Sequence, residues 1–214
     1  MSESGGDRGI PFVVAAPSGT GKTTVCRRIV DRNEGILFSV SHTTRAIRET
    51  ETDGVDYHFV TQEGFQRLVD DGAFVESAVY NGNHYGTSWE SVEPLLAAGC
   101  DVLLEIEVQG ARQIRKRRDD VRMIFLLPPS FETLRLRLAG RETDSDEQIR
   151  KRLDLAREEF AAIGEFDYAI ENDDLERCAS AVETVIRAER LGDTAEVRKR
   201  FAVGPARARF EQAD

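Results

Sequence analysis

The sequence predicts an α/β protein built on a parallel sheet with helices on both faces, and three observations carry that prediction. Strand-like apolar segments alternate with helical ones along most of the 214 residues. Several strands, Phe12-Val13-Val14-Ala15 and Val121 to Leu127 among them, are near-continuous apolar runs, as strands buried on both faces require. A glycine-rich loop joins the first strand to the first helix, the connection expected in a strand–helix–strand unit.

The elements follow in order. After the strand at 12–15 a helix begins near Lys22, and Ile36 to Val40 is a short apolar strand. Tyr57 to Val60 and Ala73 to Tyr80 are two more strands, separated by a helix that sets Phe65, Leu68 and Val69 at helical spacing. Thr87 with Glu90 reads as a capping box for a helix that ends at Ala98-Gly99. Asp101 to Glu107 is a strand whose last residues turn acidic, 108–117 a basic helix, and 121–127 a strand stopped by Pro128-Pro129. Helices are expected over about 130–140 and 146–163, the second capped by Ser145 with Gln148. A strand at 168–171 precedes a helix from about 174 to 190. Residues 1–9 are polar and read as a disordered tail without signal-peptide character, while 191–214 are weakly periodic, a tail or an appended helix. No repeat or long linker divides the body at 10–190.

Composition narrows the function classes. At 40% hydrophobic and 32% charged the chain is an ordinary globular protein, and no apolar run approaches a membrane span. A net charge of −10 argues against general nucleic-acid binding. The three cysteines lie far apart, which suggests a reducing cytoplasm and no disulfide framework. The three histidines are scattered and suggest no metal site.

The loop Ala16-Pro17-Ser18-Gly19-Thr20-Gly21-Lys22-Thr23, followed by Thr24, stands between strand and helix. In that setting backbone N–H groups and the positive end of the helix dipole face an anion, the arrangement that cradles nucleotide phosphates. Lys22 can reach the outer phosphates, and the Thr23 hydroxyl can ligate Mg²⁺. Ala16 stands where the usual pattern has its first glycine.

Two further clusters point to a second ligand. Ser41 to Arg48 places hydroxyls with Arg45 and Arg48 directly after a strand, where ligands of open parallel sheets bind, and a guanidinium pair can fork onto a phosphate. Glu76 interrupts an apolar strand, and a buried carboxylate needs a partner. Its two oxygens match the adjacent N1–H and 2-amino donors of guanine, while the Thr87 hydroxyl can donate to guanine O6. Glu105 and Glu107, two apart, are expected on one side of a strand end. Arg115-Lys116-Arg117-Arg118 reads as a solvated helix end.

Together, Ala16–Thr23, Ser41–Arg48, Glu76, Asn83–Thr87, Glu105–Gly110 and Glu171–Asp174 resemble the guanylate kinase family, over roughly residues 10–190. The resemblance implies the P-loop nucleoside monophosphate kinase fold, with a GMP-binding region at about 41–90 and a mobile lid at about 134–155. It implies transfer of the ATP γ-phosphoryl group to GMP or dGMP with Mg²⁺, by a monomer or homodimer in purine nucleotide metabolism. The acceptor is already an anion, so the chemistry reduces to positioning and charge neutralisation.

The same resemblance assigns roles to residues. Arg45, Arg48, Tyr57 and Tyr85 would hold the GMP phosphate, while Ser41, Glu76, Thr87 and Glu107 would read the base. Ala16 to Thr24 would bind ATP, with Arg137 and Asn172 on its adenine side, and Thr23 and Glu105 would organise Mg²⁺. Lys22, Arg45, Arg141 and Arg152 would act on the transferring phosphates. The lid carries Gly140-Arg141-Glu142 where the family usually has Gly-Arg-Gly. Two alternatives stay open: an interaction module without ATP chemistry, and a kinase for a non-guanine acceptor such as ribose 1,5-bisphosphate.

Overall fold

The computed structural model describes residues 8–80, 82–139 and 146–211. In chain order the elements are β1 (Pro11–Ala15), α1 (Lys22–Val30), β2 (Ile36–Phe38), β3 (His42–Thr43), β4 (His58–Phe59), α2 (Gln62–Asp70), β5 (Phe74–Tyr80), β6 (Asn83–Ser88) and α3 (Trp89–Ala97). There follow β7 (Asp101–Glu105), α4 (Val108–Arg117), β8 (Arg122–Leu127), α5 (Phe131–Ala139), α6 (Asp146–Ala161), a 3₁₀ turn (Ala162–Glu165), β9 (Tyr168–Glu171), α7 (Leu175–Leu191), α8 (Ala195–Arg200) and α9 (Val203–Glu211). A five-stranded sheet has the order β2-β7-β1-β8-β9, and a four-stranded sheet the order β4-β3-β6-β5. This is the predicted α/β class, a central parallel sheet flanked by helices. No helix among the described residues is long and apolar enough to cross a membrane.

The chain divides into two compact units, one formed by residues 12–34, 105–108 and those from 122 onward. There β1, β8 and β9 pair in parallel, with Val13 opposite Met123 and Ile124 opposite Tyr168. All of β1 is buried, as its unbroken apolar sequence requires. α1 buries Val25, Cys26 and Ile29, and α7 buries Cys178, Ala179, Val182, Val185 and Ile186, both at helical spacing. Each fully buried aliphatic side chain contributes roughly 1.5–3 kcal/mol. Asp174 caps α7 by accepting the Arg177 N–H, and Gly192 ends it. Burial pushes the Cys26 and Cys178 thiols up, the latter to about 12, so neither supplies a thiolate at neutral pH.

The other unit holds residues 8–11, Gly35–Leu104 and Gln109–Val121. β2 and β7 pair in parallel. β6 runs antiparallel to both β3 and β5, while β4 lies parallel to β3. A register shift between Phe74 and Glu76 marks a bulge in β5. Phe65 of α2 stacks on Phe74 with ring centroids 4.6 Å apart.

The structure corrects several expectations. The segments near 57–60 and 73–80 belong to the mixed sheet, and residues 83–88, to which the apolar pattern assigns no element, form β6. Its pattern is polar because hydroxyls and aromatics face a site there, so apolar periodicity missed it. Thr87 does not cap α3; Ser88 does, accepting the Ser91 N–H at 3.2 Å. The strand expected at 101–107 stops at Glu105, and the C-terminal segment forms two helices, α8 and α9. In the basic run at 115–118, Lys116 and Arg117 are exposed as expected, but the flanking arginines are held. Arg115 donates to the Val121 carbonyl, and Arg118, 10% exposed, pairs with Glu93 and Asp120. The expected tail at 1–9 is docked at its end, where the Gly9 N–H donates to the Leu96 carbonyl at 2.9 Å. Ser145 lies outside the described residues.

Candidate active site

The phosphate loop forms as its sequence dictates. Gly19 and Gly21 have φ of +89° and +93°, backbone that side chains with a Cβ rarely adopt. A Cβ at Gly21 would also lie 2.9 Å from the Asn172 amide nitrogen. Gly21 precedes α1 with no side-chain cap, and the first turn of α1 carries no acidic residue. The helix therefore opens with donors and positive dipole ready for an anion. Ala16 and Pro17 are buried, Ser18 is partly buried, and Thr23 and Thr24 are exposed at the start of α1.

Two acidic side chains meet the first two residues of α1. Lys22 donates to Glu107 Oε1 at 3.0 Å and to the Ile106 carbonyl at 2.9 Å, and the Thr23 hydroxyl donates to Glu105. Burial pulls the Lys22 ammonium down, but the Glu107 and Glu105 carboxylates outweigh it and hold its pKa above the ordinary value. Thr23 and Glu105 are hard oxygen donors in contact, a pair whose chemistry could hold Mg²⁺. Among the described residues no cluster of three metal-ligating side chains occurs.

Arg137 and Asn172, expected beside adenine, here brace the loop. The Asn172 amide donates to the Thr20 carbonyl at 2.7 Å, and Arg137 donates to the Thr20 and Asn172 carbonyls at 3.2 and 3.1 Å. Arg152 is partly buried on α6, while Arg141 lies outside the described residues, as do 140–145 of the expected lid.

Sequence reasoning missed Glu159 here. It is 8% exposed on the apolar face of α6 with Ala156 and Phe160, and it interacts electrostatically with Glu107. Burial, then the Glu107 charge, pushes its carboxyl up to about 8, against the pull of Lys22. An acidic residue inside an apolar stripe at helical spacing was the available signal.

The other unit brings most of the second cluster together. Glu76, 4% exposed, accepts from the Thr87 N–H at 3.0 Å and the Thr87 hydroxyl at 2.7 Å through Oε1. The Ser41 and Thr87 hydroxyls lie 3.1 Å apart. Thr87 has one hydroxyl proton, and here Glu76 takes it; either hydroxyl must turn to donate to a base. Arg45 lies 5.5 Å from the Tyr57 ring centroid, and Tyr57 and Tyr85 meet edge to face at 5.9 Å.

Glu51, not expected from sequence, organises the arginines. It takes both arms of Arg45 at 2.7 and 3.0 Å and the Arg48 backbone N–H at 2.9 Å. This pairing raises Arg45 and lowers Glu51 from their ordinary values. The Arg48 side chain stays 71% exposed. Of the residues expected to read the base, Glu107 is the one placed with Lys22, in the unit that carries the loop.

The family model described as guanylate kinase matches residues 8–189. The chain belongs to the guanylate kinase family. It is 47% identical over 196 residues to guanylate kinase of Alcanivorax borkumensis, covering 92% of this chain and 95% of that one. It is 49% identical over 184 residues to guanylate kinase of Neisseria gonorrhoeae, covering 86% and 90%. The solved structure of guanylate kinase from Anaplasma phagocytophilum matches with a TM-score of 0.71 at 36% identity, covering 86% of this chain and 87% of that one. As a guanylate kinase family member it is a nucleotide-binding phosphotransferase, and the predicted nucleoside monophosphate kinase fold holds.

Proposed function

We propose the following division of labour for the family's reaction, in which ATP phosphorylates GMP to give ADP and GDP. The loop N–H groups from Ala16 to Thr24 and the Lys22 ammonium bind the ATP phosphates, with Arg137 and Asn172 bracing the loop and contacting the adenine side. Arg45, Arg48, Tyr57 and Tyr85 take the GMP phosphate, and Glu76 reads the base with Ser41, Thr87 and Glu107. Lys22, Arg45, Arg141 and Arg152 stabilise the phosphoryl group in flight. Thr23 and Glu105 would hold Mg²⁺, which when bound neutralises charge across the phosphate oxygens.

The observation that carries the acceptor's identity is the buried Glu76 carboxylate anchored by Thr87. An acceptor-only group in an apolar setting favours a base edge with adjacent donors, as in guanine, over adenine with its acceptor N1. The sugar 2′-hydroxyl enters none of these contacts, so dGMP is a substrate in this reading. Three cysteines, all free, favour a reducing cytoplasm, and the charge of −10 disfavours nucleic acid and anionic membranes as partners. The reading holds equally for a monomer and a homodimer.

The test is ADP release from Mg-ATP against GMP, dGMP, AMP, UMP and ribose 1,5-bisphosphate. Fast turnover with GMP and dGMP alone is expected. Comparable turnover with AMP or the sugar bisphosphate removes the base-reading assignment, and no turnover with any acceptor removes the catalytic one.

A further inference from the structure

β5 is an edge strand of the mixed sheet, yet its open side is covered by one stripe of α4. Arg117 donates to the Phe74 and Val75 carbonyls at 2.6 and 2.7 Å. Gln113 donates to the Ser77 carbonyl at 2.7 Å and accepts the Ser77 N–H at 3.2 Å, as a neighbouring strand would do. Glu76 is thereby bracketed on both sides along the backbone. Gly110, Gln113 and Arg117 are spaced three and four apart, so they share one helix face.

Gly110 is the member of the stripe that faces the Glu76 side chain. A Cβ there would lie 2.5 Å from Glu76 Oε2 and 3.1 Å from Glu76 Cδ. Gly110 has no positive φ, and alanine is the better helix former, so what the position requires is space. The carboxylate packs directly against the bare helix backbone. The bulge between Phe74 and Glu76 turns the strand locally at this place.

We propose that Gly110 determines acceptor specificity, and that Gln113 and Arg117 are positioning residues, because together they fix where the Glu76 carboxylate meets the base. The inference rests on the reading of Glu76 as the base-reading group. Any side chain at 110 drives the carboxylate back by roughly an ångström, and a displacement of that size is enough to impair binding about tenfold or more.

The test compares Gly110→Ala, Glu76→Gln, Glu76→Asp and the double variant Gly110→Ala with Glu76→Asp, reading KM for GMP, KM for ATP, GMP-over-AMP preference and Tm. Gly110→Ala is expected to raise KM for GMP at least about tenfold, with KM for ATP unchanged and Tm unchanged or higher. The shorter aspartate opens the gap, so the double variant should lose less than the product of its single losses. A KM for GMP within twofold of the parent in Gly110→Ala overturns the proposal, as does an equal rise in both KM values. Should Gly110→Ala not fold, Gln113→Leu decides, since an unchanged KM for GMP there overturns it equally. Unchanged GMP preference in Glu76→Gln removes the reading of Glu76 itself. Lost preference there, with Gly110→Ala silent, overturns only the present inference.

Discussion

Lys22 and Glu107 form an ion pair at the mouth of α1, Nζ to Oε1 3.0 Å, and the same ammonium gives a second hydrogen to the Ile106 carbonyl. The Lys22 side chain is only 11% exposed, so its aim is set before any ligand arrives. Glu107 is 36% exposed and can rehydrate when a phosphate takes the lysine. The pair keeps the ammonium charged and oriented while leaving it exchangeable.

Lys22→Ala should therefore lower kcat by about 10²–10³-fold, the usual effect of removing one preorganised transition-state donor. Tm should change little, because the abandoned Glu107 reaches water. ADP release and a thermal melt check both; activity within a few-fold of the parent removes Lys22 from the mechanism.

Thr87→Val deletes the hydroxyl that donates to Glu76 and neighbours Ser41 while keeping the side chain's shape. Loss of one hydrogen bond to a buried carboxylate costs about 1–3 kcal/mol. KM for GMP should rise about tenfold with KM for ATP unchanged, and Thr87→Ser should restore most of it. Steady-state kinetics on the two variants decide, and an unaffected Thr87→Val breaks the link to Glu76.

Glu159 gives a pH signature. Its carboxyl is raised from 4.5 in the unfolded reference to about 8 in the fold, because burial and Glu107 oppose its ionisation. The folded state thus holds a proton that the unfolded chain has released, so stability is greatest below the unfolded value. It falls as pH rises toward about 8 and is then fully lost. Glu159→Gln cannot ionise and lacks this slope. Its Tm relative to the parent should climb across that window; a constant difference contradicts the protonated carboxyl.

Glu189 anchors the C-terminal helices. At 3% side-chain exposure it accepts from Tyr168, from Arg122 at 2.6 Å and from Arg198 of α8 at 3.1 Å. Removing one partner of a buried pair costs about 3–5 kcal/mol, and less here because both arginines reach solvent. Glu189→Ala should destabilise by about 2–3 kcal/mol, read by denaturant unfolding. A change under about 0.5 kcal/mol, the size of a neutral surface substitution, contradicts the anchoring role.

The phosphate loop was legible because its chemistry is local: two glycines, a lysine and a threonine within five residues define backbone, charge and helix start at once. The strands β1, β8 and β9 were legible for the same reason, since burial on both faces writes itself as an unbroken apolar run. Glu76, Arg45 and Thr87 could be named from the family resemblance, but not what holds them.

The amino-acid sequence by itself determined the α/β class, the nucleotide loop and the family. Only the tertiary structure decided that residues 83–88 form a strand, that Thr87 serves Glu76 and does not cap α3, and that Glu51 grips Arg45. It also decided that Glu159 sits on Glu107 and that Gly110 makes room for Glu76. The last two contacts join residues tens of positions apart and Thr87 meets Glu76 across a strand pair, so no local pattern encodes them. Even the short step from Arg45 to Glu51 depends on how an irregular loop folds back. They exist because burying the apolar faces brings polar groups together, and each buried polar group must then find a partner.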